Sequence, residues 1–206
     1  MRVALIRLSA AAFSTFALSA ITLVAPGYAA TPSAGAASGG AGLGSGGTGV
    51  NAPASQSTPA HPVVSGYTAR IVHGVAYAPA LAPIQVQRAI WAGNQIRHKP
   101  YSYGGGHASF ASAGYDCSGS VSYVLHAAGL LKTPFDSSDF MSWGQRGLGQ
   151  WITVYTNPGH AFVQIAGIRF DTSSEGDAHP APGTGPHWRP LLRNTSGFAA
   201  RHPAAF

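Results

Sequence analysis

The sequence predicts an α+β fold in which N-terminal helices pack on an antiparallel sheet. Apolar residues recur at helical spacing from Pro83 to about Ile96 and again from Cys117 to Ala128, and the pattern changes to strand alternation between Trp151 and Asp171. The chain has 206 residues, 45% of them hydrophobic, with 27 Gly and 15 Pro, which is enough for one ordinary core and hardly for two. A large multidomain enzyme is excluded on that ground.

The chain opens with Arg2 and Arg7, followed by the uncharged run Leu8 to Ala25 and then Pro26-Gly27-Tyr28-Ala29. Small residues there suit a signal peptidase, so residues 1–29 are expected to be a secretory leader cut after Ala29. The alternative is a retained membrane anchor, but Ser9, Ser14, Thr15, Ser19 and Thr22 dilute the apolar run. Residues 31–60 hold eight Gly, seven Ala, five Ser and no charge. Ordering them would cost backbone entropy with no apolar burial to offset it. A flexible tether is expected over 30–80. Within it, Tyr67 to Val72 could make a short strand, isolated by Pro and Gly.

The first helix is expected from Pro83, which suits a first turn because its missing N–H would be unpaired there, with Ile84, Ala89, Ile90 and Ile96 as its apolar side. Lys99 to Gly106 must be a loop, its three consecutive glycines permitting a conformation or a close approach that a side chain would obstruct. In the second helix, positions 117, 121, 124, 125 and 128 form one stripe and Gly129 is the stop. Cys117 therefore heads the buried face. A thiol in the first turn lies at the positive end of the helix dipole, which favours thiolate, and backbone N–H groups there can receive an oxyanion. A buried Cys serving as a small hydrophobe is the other explanation, and its place at the rim of a secreted domain favours chemistry.

Trp151 to Tyr155 is predicted as a strand, Asn157-Pro158-Gly159 as a turn, His160 to Ala166 as a second strand, and Ile168 to Asp171 as a third beyond a tight turn at Gly167. Ala161, Val163 and Ile165 make a fully apolar face, whereas His160, Phe162 and Gln164 make a mixed one, as in a sheet buried on nearly both faces. An antiparallel hairpin brings His160 and Asp171 to the same open end. There a carboxylate can orient the imidazole whose other nitrogen faces Cys117.

Charge and cysteine content narrow the function classes. The 12 Lys and Arg against 6 Asp and Glu give a net +6, or +4 once the two leader arginines are removed, but only 9% of residues are charged. No basic stripe of a nucleic-acid binder is present. The single Cys rules out an intrachain disulfide framework and a Cys-based structural zinc site.

Three segments resemble the NlpC-like cell-wall cysteine peptidases of bacteria, in that family's order. They are Pro100-Tyr101-Ser102-Tyr103-Gly104-Gly105, Asp116-Cys117-Ser118-Gly119-Ser120-Val121, and Gly159-His160-Ala161-Phe162-Val163 with Phe170-Asp171. The resemblance runs from about Pro83 to the end. It implies a papain-like NlpC-type fold over a domain at 81–206, Cys117 as nucleophile and His160 as base. Many relatives carry His at the third catalytic position, where this chain has Asp171, with His187 as the rival. Tyr101, Asp116 and Ser118 match substrate-binding positions lining the cleft. The implied activity is that of a secreted, cell-wall-associated endopeptidase acting on peptidoglycan stem peptides between D-glutamate and the following diamino acid. It needs no cofactor or metal and is expected as a monomer without stable membrane insertion or nucleic-acid partner. A different thiol-dependent amidase or transpeptidase, or a noncatalytic envelope-binding protein, is the alternative.

Among the remaining residues, His126 is expected at the surface and His107 in a cleft-lining or structural role. Trp143, Trp151 and Trp188 are expected in core or cleft walls, and the second half of the tail from Gly183 to Phe206 is expected to pack back onto the domain.

Overall fold

The computed structural model describes residues 61–180, 182–191 and 193–206. The expected leader and the first part of the expected tether, 1–60, lie outside the described residues.

The described residues form an α+β body of two sheets and three helices. A small sheet is made of β1 (Val63–Val64), β2 (Arg70–Val72) and β3 (Val75–Pro79), in the order β1-β3-β2. Three helices follow: α1 (Ile84–Ile96), α2 (Cys117–Ala127) and the single turn α3 (Ser137–Phe140). The main sheet contains β4 (Gln145–Arg146), β5 (Ile152–Asn157), β6 (His160–Ile165), β7 (Ile168–Asp171), β8 (His187–Arg189) and β9 (Ala199–His202). Its order is β4-β9-β5-β6-β7-β8, and every neighbouring pair is antiparallel.

The domain boundary expected at residue 81 falls inside this body. Asn94 on α1 explains why: its side-chain oxygen accepts from the Ala76 N–H at 2.9 Å while its Nδ2 donates to the Ala76 carbonyl at 2.8 Å. The same oxygen accepts from the Trp188 indole at 3.0 Å, so one amide ties β3 and β8 to α1. The Trp91 indole donates to the Pro62 carbonyl at 3.0 Å, and the Ala69 N–H to the Ala166 carbonyl at 2.8 Å, fastening the small sheet at two further points. Short strands with buried alanines give little apolar signal, and their partners are distant in sequence.

On α1 the buried face is Val86, Ala89, Ile90, Gly93 and Ile96, whereas Ile84, expected on that face, is exposed. Pro83 is the N-cap, with ψ 146°, and lies just outside the helix. On α2 the expected stripe Val121, Val124, Leu125 and Ala128 is buried, and the helix packs on β6 and β7. Leu125 is fully buried in the core. Replacing it with Ala is therefore expected to cost about 2 to 5 kcal/mol, measured by denaturant unfolding.

The β6–β7 connection is a two-residue turn with Ala166 at φ 48° and Gly167 at φ 89°, the primed geometry whose twist matches that of the flanking strands. The β5–β6 connection is also two residues, Pro158-Gly159. There the Asn157 side-chain oxygen accepts from the N–H groups of Gly159 and His160, both at 2.9 Å, and fixes where the strand beginning with His160 starts. β9 pairs with both β5 and β4, so the tail packs back onto the sheet.

Candidate active site

The first turn of α2 is built by its N-cap. Asp116 sits in extended geometry, and its Oδ1 accepts from the Gly119 N–H at 2.7 Å. Its Oδ2 accepts from the Gly104 N–H at 3.0 Å, so the same carboxylate holds the glycine loop against the helix. A Cβ at position 119 would collide with the Gly105 carbonyl, and one at position 106 would come within 2.9 Å of the Gly119 Cα. Gly106 and Gly119 thus serve one close approach of the loop to the start of α2, while Gly105 packs against the Gly114 carbonyl. Asp116 Oδ1 also lies 3.0 Å from His107 Nε2, which is 3.1 Å from the Ser118 hydroxyl.

Cys117 follows as the first helical residue and is largely buried. Its thiol lies beside the His160 imidazole and the Ala161 backbone N–H, both of which act to stabilise the thiolate. On the far side of the imidazole, His160 Nε2 lies 2.9 Å from Asp171 Oδ1. With Nε2 committed to the carboxylate, Nδ1 is the nitrogen left for the thiol. The three side chains therefore form one line from the N-terminus of α2, through the start of β6, to the end of β7. Asp171 is fully buried, and Oδ1 also accepts from the Ser173 N–H at 2.8 Å.

The electrostatics favour the charged pair. Burial pushes the Cys117 thiol up, but hydrogen bonds from His160 and the Ala161 N–H, with the charge of His160, bring it below its ordinary value. Burial pulls His160 down, but hydrogen bonds to Asp171 and Cys117 and their negative charges raise it from 6.5 to about 9. Thiolate and imidazolium stabilise one another.

The line opens into a cleft of about 400 Å³. Tyr101, Tyr103, His107, Asp116, Cys117 and Ser118 line it together with Asp136 to Ser138 and Pro158-Gly159. The residues expected to bind substrate, Tyr101, Asp116 and Ser118, all reach it. Tyr101 is 42% exposed and offers a surface for a ligand, whereas Asp116 is buried and its oxygens are occupied by the cap and the loop. His187 stands opposite Asp171 in the β7–β8 register, but its Nδ1 lies 2.7 Å from the Gly185 carbonyl. It lines a separate cleft with His98, Lys99 and Pro100. His126 is at the surface, stacked on Phe110 with centroids 3.8 Å apart.

Behind the line lies a cluster that no motif announced. Arg169 and Arg189 both pair with Asp177, and Arg193 bonds Asp171 Oδ2 at 3.3 Å and Glu175 at 3.0 Å. Basic and aromatic residues in the tail are the only sequence sign of it, because the partners lie on an irregular segment. Among the described residues, no group of three or more His, Cys, Asp and Glu could hold a metal ion, and no helix is long and apolar enough to cross a membrane.

No family model and no curated protein matches the chain. Among solved structures, the chain is similar to the peptidoglycan hydrolase RipB from Mycobacterium tuberculosis, at 19% identity and a TM-score of 0.44 over 60% of this chain and 66% of that one. It is similar to Rv1477, a hypothetical invasion protein of M. tuberculosis, at 22% identity and a TM-score of 0.42 over 58% of this chain and 62% of that one. It is also similar to RipD of M. tuberculosis, a non-catalytic NlpC/p60 domain protein adapted to peptidoglycan binding, at 21% identity and a TM-score of 0.42 over 59% of this chain and 98% of that one.

Proposed function

We propose that the chain is a secreted cysteine peptidase of NlpC type that hydrolyses amide bonds in peptidoglycan stem peptides through a thioester on Cys117. The observation that carries this is the line Cys117–His160–Asp171, in which the imidazole stands beside the thiol and 2.9 Å from the carboxylate, at the N-terminus of a helix and at the edge of a cleft.

In the first step the Cys117 thiolate attacks the scissile carbonyl carbon, and the carbonyl electron pair moves onto oxygen. The N–H groups of Cys117 and Ser118 belong to the first turn of α2, where backbone donors have no intrahelical partner, and they receive that oxyanion. Collapse of the intermediate breaks the C–N bond as the His160 imidazolium gives its proton to the departing amine. Neutral His160 then takes a proton from water, whose oxygen attacks the thioester. The carboxylic acid leaves, and the thiolate–imidazolium pair is restored. Asp171 holds His160 Nε2 throughout and stabilises the imidazolium. Tyr101 flanks the cleft as a substrate-contact surface. The bond between D-glutamate and the following diamino acid is the proposed target.

The pH profile follows from the paired shifts. As pH falls through the lowered thiol value the thiolate is protonated, and as it rises through about 9 the imidazolium loses the proton the amine needs. Turnover is expected to follow a bell with its alkaline limb near 9 and its acid limb below the range of an ordinary thiol, checked by kcat/KM against pH.

Incubating the protein with purified muropeptides and identifying products by mass spectrometry tests the function. Release of a free diamino-acid amine supports it, and equal release by folded Cys117→Ser overturns it. A product joined to a second amine indicates transpeptidation, and retention of intact muropeptide without cleavage indicates a binding protein. The leader and tether belong to the same proposal: an exported protein whose mass begins at Ala30 supports it, and one that retains Met1 does not.

A further inference from the structure

The mixed face of the β6–β7 hairpin is buried without being apolar. Arg169 and Asp171 are fully buried there beside Phe162, beneath the segment that returns from β8 to β9. Three cations, Arg169, Arg189 and Arg193, meet three anions, Asp171, Glu175 and Asp177. Two of these arginines have structural partners that account for them. Arg169 donates to the Glu175 carbonyl at 2.9 Å and pairs with Asp177, and Arg189 donates through Nε to the Asp171 carbonyl at 3.1 Å and also pairs with Asp177.

Arg193 is placed differently. Its guanidinium carbon lies 5.0 Å from the Phe162 ring centre and 5.3 Å from that of Phe198, so the cation packs over both rings, which themselves meet edge-on with centroids 5.2 Å apart. Phe198 also meets the His160 ring edge-on, with centroids 6.2 Å apart. From this slot Nη1 reaches Asp171 Oδ2 at 3.3 Å while Nη2 holds Glu175 at 3.0 Å. Asp171 thus faces His160 and the Ser173 N–H with Oδ1, and Arg193 with Oδ2, where Arg169 Nε stands further off at 3.6 Å.

We propose that Arg193 is a positioning residue for the catalytic line. Packed over Phe162 and Phe198, it holds Asp171 Oδ2 so that Oδ1 stays aimed at His160 Nε2. This rests on the cysteine-peptidase function proposed above. Contact with two rings and a second bond to Glu175 restrict where the guanidinium can lie, so its bond to Oδ2 resists rotation of the carboxylate away from His160. A lysine there would supply charge at one point and could not span both carboxylates in the same way.

Cys117 is the only cysteine in the chain, so its carbamidomethylation by iodoacetamide, with iodide leaving, reads the thiolate–imidazolium pair without any choice of substrate. The charged groups facing the pair are Asp171 from β7, with Arg169 and Arg193 behind it, and Asp116 from the helix cap. The whole protein is used, with thermal unfolding as the folding control. Below neutral pH, Arg193→Ala is expected to slow alkylation about tenfold to a hundredfold, the worth of one charge-assisted hydrogen bond. Added guanidinium restores the rate and urea does not. In an Asp171→Asn background, Arg193→Ala has no further effect, whereas a purely structural role would make the two losses multiply.

A wild-type rate in folded Arg193→Ala, or multiplying losses in the double variant, overturns the proposal. If the Ala variant does not fold, Arg193→Lys carries the same cycle. Its expected loss is smaller and again disappears against Asp171→Asn, and a loss that multiplies has the same overturning force. If wild-type Cys117 alkylates near neutral pH no faster than an ordinary thiol, the cysteine mechanism fails and the role of Arg193 fails with it. That outcome is separable from a failure confined to the Arg193 variants.

Discussion

Cys117→Ser and His160→Ala are each expected to lower kcat/KM on a defined stem peptide by about 10⁴-fold or more, with unfolding midpoints near wild type. The serine hydroxyl is far less acidic than the thiol, so the imidazole cannot hold it as an anion at neutral pH. Removing His160 takes away the imidazole beside the Cys117 thiol and, with it, the proposed acid for the leaving amine. His107→Ala separates this assignment from its nearest rival. His107 makes a second histidine–carboxylate pair in the cleft, but its Nε2 is engaged by Asp116 and Ser118, whereas the imidazole that lowers the thiol's pKa is that of His160. A loss of no more than about tenfold is expected for His107→Ala, the size of one ordinary hydrogen bond. If His107→Ala matches His160→Ala in loss while remaining folded, the general base has been assigned to the wrong ring.

Asp171→Asn is expected to cost on the order of 10³- to 10⁴-fold in kcat, because an amide presents a donor as well as an acceptor to His160 Nε2 and ceases to favour the imidazolium. His187→Ala should leave turnover close to wild type, since that imidazole is engaged by the Gly185 carbonyl and faces another cleft. The same Asp171 variant removes an anion from among buried arginines, and breaking a buried ion pair by removing one partner costs about 3 to 5 kcal/mol. Stability and rate must therefore be measured together. Activity that returns fully when the protein is refolded at low temperature would show that the defect lies in folding, and inactivity of His187→Ala would move the third role to that histidine.

The placing of Cys117, His160 and Asp171 on one line was legible in the sequence for a physical reason. Cys117 heads a helix whose stripe at 121, 124, 125 and 128 has one clear period, and the turns at Asn157-Pro158-Gly159 and Gly167 bracket a strand with one wholly apolar face, Ala161, Val163 and Ile165. With those registers set, His160 and Asp171 could meet at one end of the hairpin. Elements without a period of their own were scarcely legible, and of them only β2 was anticipated, within Tyr67 to Val72. The strands β1 to β3 have two to five residues each and are held by Asn94, Trp91 and Ala166, none of them local. The turn α3 depends on a reciprocal Asp136–Asp139 cap over four helical residues, too short for periodicity to register. Ile84 satisfied an apolar pattern yet faces solvent, because spacing alone does not say which of two overlapping stripes meets the sheet. The arginine cluster escaped altogether, since its anions Glu175 and Asp177 lie outside any helix or strand and Arg193 lies beyond β8, more than twenty residues from Asp171.

The cancellation inside that cluster changes what salt can do to this protein. Arg169, Arg189 and Arg193 are neutralised by Asp171, Glu175 and Asp177, which leaves seven Arg and Lys among residues 61–206 against Asp116, Asp136 and Asp139. The whole positive balance of the described residues is therefore carried outside the cluster, by Arg70, Arg88, Arg97, Lys99, Lys132, Arg146 and Arg201. Exposed charges are screened over a Debye length of about 8 Å at physiological ionic strength, while buried pairs are screened much less. Raising the salt concentration should thus loosen adsorption to an anionic polymer and leave the alignment of His160 intact, so that capture at a surface and turnover at the cysteine respond separately to the ionic medium.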